Sequence, residues 1–163
     1  MMYLKSCFWL TVPVLLWNLL LSESLPEPYR NQAVWNDVPA VLLLGEYTFR
    51  LLFFAATMLM PLCNHKNTAY HKAGIILYAI GVPVYFAAWL MLLRFPDCTW
   101  SVSLAGQMAP AYTPVLWMFG ICLIGNSFFF NIPFKRWPLL LICFLFLAFH
   151  NIHAFLVLNG VSI

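Results

Sequence analysis

The sequence predicts an all-α integral membrane bundle of five transmembrane helices, and three observations predict it. Hydrophobic residues fill 64% of the 163 positions and charged residues only 8%, against roughly 25% charged in an average soluble domain. The apolar residues gather into five segments that approach or reach spanning length. The basic residues between those segments fall mostly on one side of the alternation.

A helix crossing the hydrocarbon core needs roughly 20 apolar residues, because each residue rises about 1.5 Å and the core is about 30 Å thick. The expected spans are 3–21, 38–62, 73–93, 111–132 and 137–158, in a single transmembrane helical domain covering 1–163. Turn formers separate them, among them Pro26, Pro28 and the Phe95-Pro96-Asp97 run, which cannot easily continue a helix. A barrel would need alternating strands of about ten residues, and none is found.

The first span has a competing interpretation. Lys5, a short apolar core and the small residues Ser22 and Ser24 also suit a signal peptide. Cleavage after Ser24 would leave four helices. Pro26 follows closely, and a retained span is the expectation adopted.

Loop charge then orients the bundle. Lys5, Lys66, Lys72, Lys135 and Arg136 lie on one side, and only Arg30 and Arg94 on the other. By the positive-inside rule the first side is cytoplasmic, which puts the N-terminus inside and the C-terminus outside. Trp35, Trp100 and Trp137 stand near span ends, where aromatic rings anchor at the headgroups.

Composition also excludes. A net charge of +3, dispersed along the chain, gives no footprint for nucleic acid. The cysteines Cys7, Cys63, Cys98, Cys122 and Cys143 form no CxxC and no zinc-type spacing. Only Cys98 falls in an outer loop, so no internal disulfide is expected. No nucleophile motif, phosphate-binding glycine loop or metalloprotease helix is present.

Chemistry-bearing residues inside the spans are few. Glu46 and Arg50 are four apart, on one helical face, with the acid N-terminal to the base. Arg50 lies twelve residues from either end of its expected span, about 18 Å, and so near the midplane. An intramembrane charge is costly and normally faces a bundle interior or a wet cavity, which makes the pair either a binding or proton-relay site or an ion pair fixing helix packing.

In the last span His150 and His153 are three apart and share a face. His150 and Glu46 each lie eight residues from the outer end of their expected spans, at a matched depth of about 12 Å. If the second and fifth helices are neighbours, Glu46, Arg50, His150 and His153 form one outward-facing ligand site. The same Glu46, His150 and His153 would be the set to hold a metal, though no metal and no other cofactor is assigned. His65 and His71, on the cytoplasmic side, are expected to be ordinary interfacial loop residues.

Asn126 in the fourth span, and Tyr78 and Tyr85 in the third, are expected to serve helix packing. Gly74, Tyr78, Gly81, Tyr85 and Ala88 recur along one face as a close-packing seam. Asn18 in the first span is a second candidate for interhelical hydrogen bonding. Pro83 and Pro114 predict kinks or freed carbonyls.

Three function classes follow. The first is a binding or transport module for a small molecule or lipid headgroup. The second is a membrane-embedded metal-dependent hydrolase, and the third an accessory subunit of a membrane complex. The expected partners are membrane lipids, a small molecule or another membrane subunit, and no nucleic acid.

Overall fold

The computed structural model describes residues 5–21, 24, 38–62, 68–131 and 133–159. The elements are helical: α1 (Val12–Leu21), α2 (Ala40–Leu59), α3 (Ala69–Arg94), α4 (Thr99–Val102), α5 (Leu104–Gln107), α6 (Ala109–Tyr112), α7 (Pro114–Ile124) and α8 (Arg136–Asn159), with a 3₁₀ turn over Cys7–Leu10 ahead of them. Three helices, α2, α3 and α8, are long and apolar enough to cross a membrane. At 20, 26 and 24 residues they measure about 30, 39 and 36 Å.

The first and fourth expected spans come out shorter, and a proline is present at each break. Pro13 has no N–H and suits only a first turn, so the chain leaves its 3₁₀ turn at Thr11 and starts a new helix of ten residues at Val12. Thr11 closes the junction by donating its hydroxyl to the Phe8 carbonyl at 2.7 Å. In the fourth segment Pro114 divides α6 from α7, and the intervening Thr113 donates its hydroxyl to Ala109 O at 2.6 Å. That segment ends at Ile124, where Gly125 turns extended, and not at 132. Asn126 therefore lies beyond the helix and is not a residue of a fourth span. Pro83, by contrast, sits inside an unbroken α3.

The ends of the long helices identify which elements run antiparallel. Cys7 N donates to Met60 O (2.8 Å), Leu62 N to Lys5 O (2.7 Å) and Phe129 N to Leu59 O (2.9 Å). His71, which belongs to the first turn of α3 and not to a loop, brings Nδ1 to within 3.2 Å of Ile124 O. A carbonyl only accepts, so that nitrogen carries the proton. Arg136 lies over the Tyr70 ring at 5.0 Å. The start of α1, the end of α2, the start of α3, the end of α7 and the start of α8 thus share one end of the bundle with Lys5, Lys72, Lys135 and Arg136. His65, Lys66 and Cys63 fall outside the described residues.

Two helix pairs make the most extensive contacts, α3 with α7 and α2 with α8. In the first, glycine removes the spacing that side chains would impose: a Cβ on Gly74 would lie 2.7 Å from Ile124 N and 2.8 Å from Gly120 O. Backbones that approach this closely exchange dispersion contacts along their length, the usual source of helix association in lipid. In the second pair, Gly45 faces the Phe149 ring, which stacks on Phe49 at 5.7 Å. The α1 helix is held by Trp17 stacked on Phe86 at 4.2 Å, and the 3₁₀ turn ahead of it by Tyr78 Oη donating to Leu10 O at 2.8 Å.

Between the pairs lies a core that includes Phe53, Trp117, Met118, Ile121, Cys122 and Cys143. The outside is equally apolar. Leu19, Leu20, Val41 and Leu51 are 70–74% exposed, an arrangement that suits lipid and not water. In the connection after α3 the short helices are capped locally: Cys98 Sγ accepts from Ser101 N at 3.4 Å and Ser103 Oγ from Gly106 N at 3.1 Å.

Candidate functional site

Packing of α2 against α8 decides the site. Glu46 stands in the second turn of α2 and is only 3% exposed. Its carboxylate accepts from three side chains. Arg50, one turn on, donates Nη2 to Oε1. His150 Nδ1 lies 3.1 Å from Oε1, and His153 Nδ1 lies 2.5 Å from Oε2.

The tautomers follow from the acceptor. An ionised carboxylate has no proton to give, so both imidazoles present Nδ1–H to it. The i, i+3 spacing of the histidines puts both rings on the α8 face that meets Glu46. The structure therefore brings Glu46, Arg50, His150 and His153 together as one cluster joining the two helices.

Each carboxylate oxygen is engaged by a separate imidazole, and among the described residues no group of three or more His, Cys, Asp or Glu forms that could hold a metal ion.

The cluster lines a cavity of 210 Å³. Burial within it is uneven. The side chains of Glu46 and His153 are each 5% exposed, whereas His150 is 28% and Arg50 37% exposed. Arg50 has five N–H donors, and the pairing described uses Nη2. Its guanidinium lies 5.6 Å from the Tyr47 ring and 5.5 Å from the Phe146 ring, distances at which the ring faces attract a cation.

Around these charges the lining is aromatic and aliphatic, with Tyr47, Tyr85, Trp89, Ala154 and Val157. Tyr85 donates its hydroxyl to Asn18 Oδ1, tying α3 to α1 at the cavity wall. Of the three residues expected to serve packing, Tyr78 binds the Leu10 carbonyl away from the cavity, Tyr85 lines it, and Asn126 lies in the extended segment after α7.

Pro110 also lines the cavity, and its carbonyl has no helical donor because residue 114 is proline and lacks an N–H. The neighbouring Ala111 O accepts from Asn151 Nδ2 of α8 at 3.2 Å, and the same amide also donates to Leu147 O at 2.7 Å. Asn151 sits between the two histidines in sequence and fastens the histidine-bearing turn to α6.

Sequence reasoning missed Tyr47, Trp89 and Pro110 as wall residues. Trp89 carries a faint signal in its four-residue spacing from Tyr85. Tyr47 and Pro110 carry none, because membership of a cavity depends on which helices are neighbours. No family model, no curated protein and no solved structure matches the chain.

Proposed function

We propose that the chain is a five-span integral membrane protein that binds an anionic small molecule or lipid headgroup in an intramembrane polar cavity open toward the outer side, as a binding or transport module. Residues Lys5, Lys72, Lys135 and Arg136, together at one end of the bundle, would be cytoplasmic by the positive-inside rule. That orientation puts the N-terminus inside and the C-terminus outside. The two short segments, Val12–Leu21 and Ala109–Ile124, would complete the set of five, the bilayer thinning locally around them.

The observation that carries the binding function is the unequal burial of the cluster. A charge pair that serves only packing needs no donor left open, and in a sealed core every donor and acceptor must be satisfied internally. Here the carboxylate is buried and accepts from three donors, while the guanidinium and one imidazole of the same cavity lining stay partly exposed. Glu46 holds the guanidinium in position and leaves its other donors for a ligand oxygen.

The test is equilibrium titration of the purified full chain with inorganic phosphate and with acetate. Saturable binding of either anion, weakened at least about tenfold by Arg50→Met, a loss of roughly 1.4 kcal/mol, is expected. No saturable binding of either anion, or equal binding by Arg50→Met, overturns the proposal.

A further inference from the structure

The polar cavity adjoins a second one. This inner cavity has a volume of 170 Å³, and Asn18, Arg50, Tyr85, Pro110 and His150 line both. Beyond those shared residues its wall is apolar apart from the Trp117 indole N–H, with Leu15, Phe53, Phe54, Met118 and Phe146 among its lining.

Helical register locates it. Phe53 and Phe54 follow Arg50 by three and four residues on α2, and Phe146 precedes His150 by four on α8. The inner cavity therefore lies about one helical turn, roughly 5 Å, further toward the end that carries Lys5 and Arg136. Arg50 stands at the junction: of the two rings flanking its guanidinium, Tyr47 belongs to the outer wall and Phe146 to the inner.

A chamber that adds Glu46 and His153 to the shared polar residues, joined to one that adds mainly apolar side chains, is the complement of an amphiphile. We propose that the ligand is a single-chain amphiphile, with its anionic head at Arg50 in the outer cavity and its hydrocarbon tail turned inward into the inner one. This rests on the anion-binding function proposed above and adds the tail. An apolar cavity of about 150 Å³ holds a benzene-sized group, so the inner cavity takes about six carbons.

The test is a chain-length series of sodium carboxylates, acetate, butyrate, hexanoate, octanoate and decanoate. Each is titrated into the full-length protein in nanodiscs, referenced to free aqueous ligand and corrected with empty nanodiscs. Binding should tighten about fourfold per added methylene, equivalent to ~0.8 kcal/mol, and then level off once the tail exceeds about six carbons.

Leu15→Trp should move that break to a shorter chain while leaving the acetate constant unchanged. Met118→Phe is the substitute if Leu15→Trp does not fold, and acetate binding reports folding in both. Equal affinity across the series, with acetate binding intact, overturns the tail site and leaves the anion site standing. Continued tightening through decanoate puts the tail in lipid and also overturns it, as does a break that Leu15→Trp fails to move. Failure of every carboxylate to bind overturns both proposals.

Discussion

Replacing Glu46 by glutamine should destabilise the protein more than replacing Glu46 and Arg50 together. In the single variant Arg50 stays ionised with its partner gone, because a guanidinium does not deprotonate. Insertion scales put an uncompensated Arg at the centre of a span at about 2.5–3.5 kcal/mol. The Arg50 side chain is 37% exposed, and solvent screening of that fraction reduces the figure to roughly 1.5–2.5 kcal/mol. Glu46→Gln also removes one carboxylate oxygen from the two imidazoles, but the double variant Glu46→Gln, Arg50→Met suffers the same loss. The comparison therefore isolates the lone charge. For a chain of this size a kcal/mol corresponds to about 2–4 °C, so the single variant should melt about 3–10 °C below the double one. Thermal unfolding of both in the same detergent, followed by circular dichroism, measures the difference. Equal melting, or a more stable single variant, would refute the argument and mean that Arg50 is hydrated well enough to need no partner.

Gly74→Ala should cost about 1–3 kcal/mol, since its Cβ would meet backbone atoms of α7 at 2.7–2.8 Å and backbone cannot swing aside; a melting point unchanged within 1 °C would mean that α3 and α7 are not in contact there. Gly45→Ala, whose Cβ would fall 2.6–2.7 Å from the Phe149 ring, should instead displace a side chain next to His150 and weaken acetate binding at Arg50 more than it lowers stability, as parallel titration and melting would report. Hydrogen bonding with Ser101, through its side chain first and then its backbone N–H, lowers the Cys98 thiol pKa below its usual value. Thiolate is the reacting form, so alkylation of Cys98 by a membrane-impermeant maleimide from outside should reach half its maximal rate at a lower pH than a free cysteine does, and Ser101→Ala should move that midpoint upward. A reporter fused after Ile163 should read outside and one inserted between Lys66 and Ala69 inside, on the division of basic residues; an inside C-terminus would contradict the five-span arrangement.

The sequence by itself determined the helical class, the three long apolar helices and the depth of each polar residue along its own helix. Hydropathy and the 1.5 Å rise act along one dimension, and a single chain carries that dimension completely. The pairing of Glu46 with Arg50 was legible for the same reason, since residues four apart on a helix are neighbours whatever surrounds them. Tertiary structure decided the rest. Glu46 and His150 matched in depth, but only the packing of α2 against α8, with Gly45 admitting the Phe149 ring, set the carboxylate between two imidazoles. The prolines divide in the same way. Pro13 and Pro114 stand at helix breaks where Thr11 and Thr113 supply hydroxyl donors, whereas Pro83 lies in an α3 that continues along α7. Removal of one N–H is a local fact, but whether a helix ends there depends on how the chain on either side is held and on what the helix packs against. The joined cavities were illegible for the same reason, because their walls come from α1, α2, α3, α6, α7 and α8 at once, and a volume enclosed by six elements has no signature in any one of them.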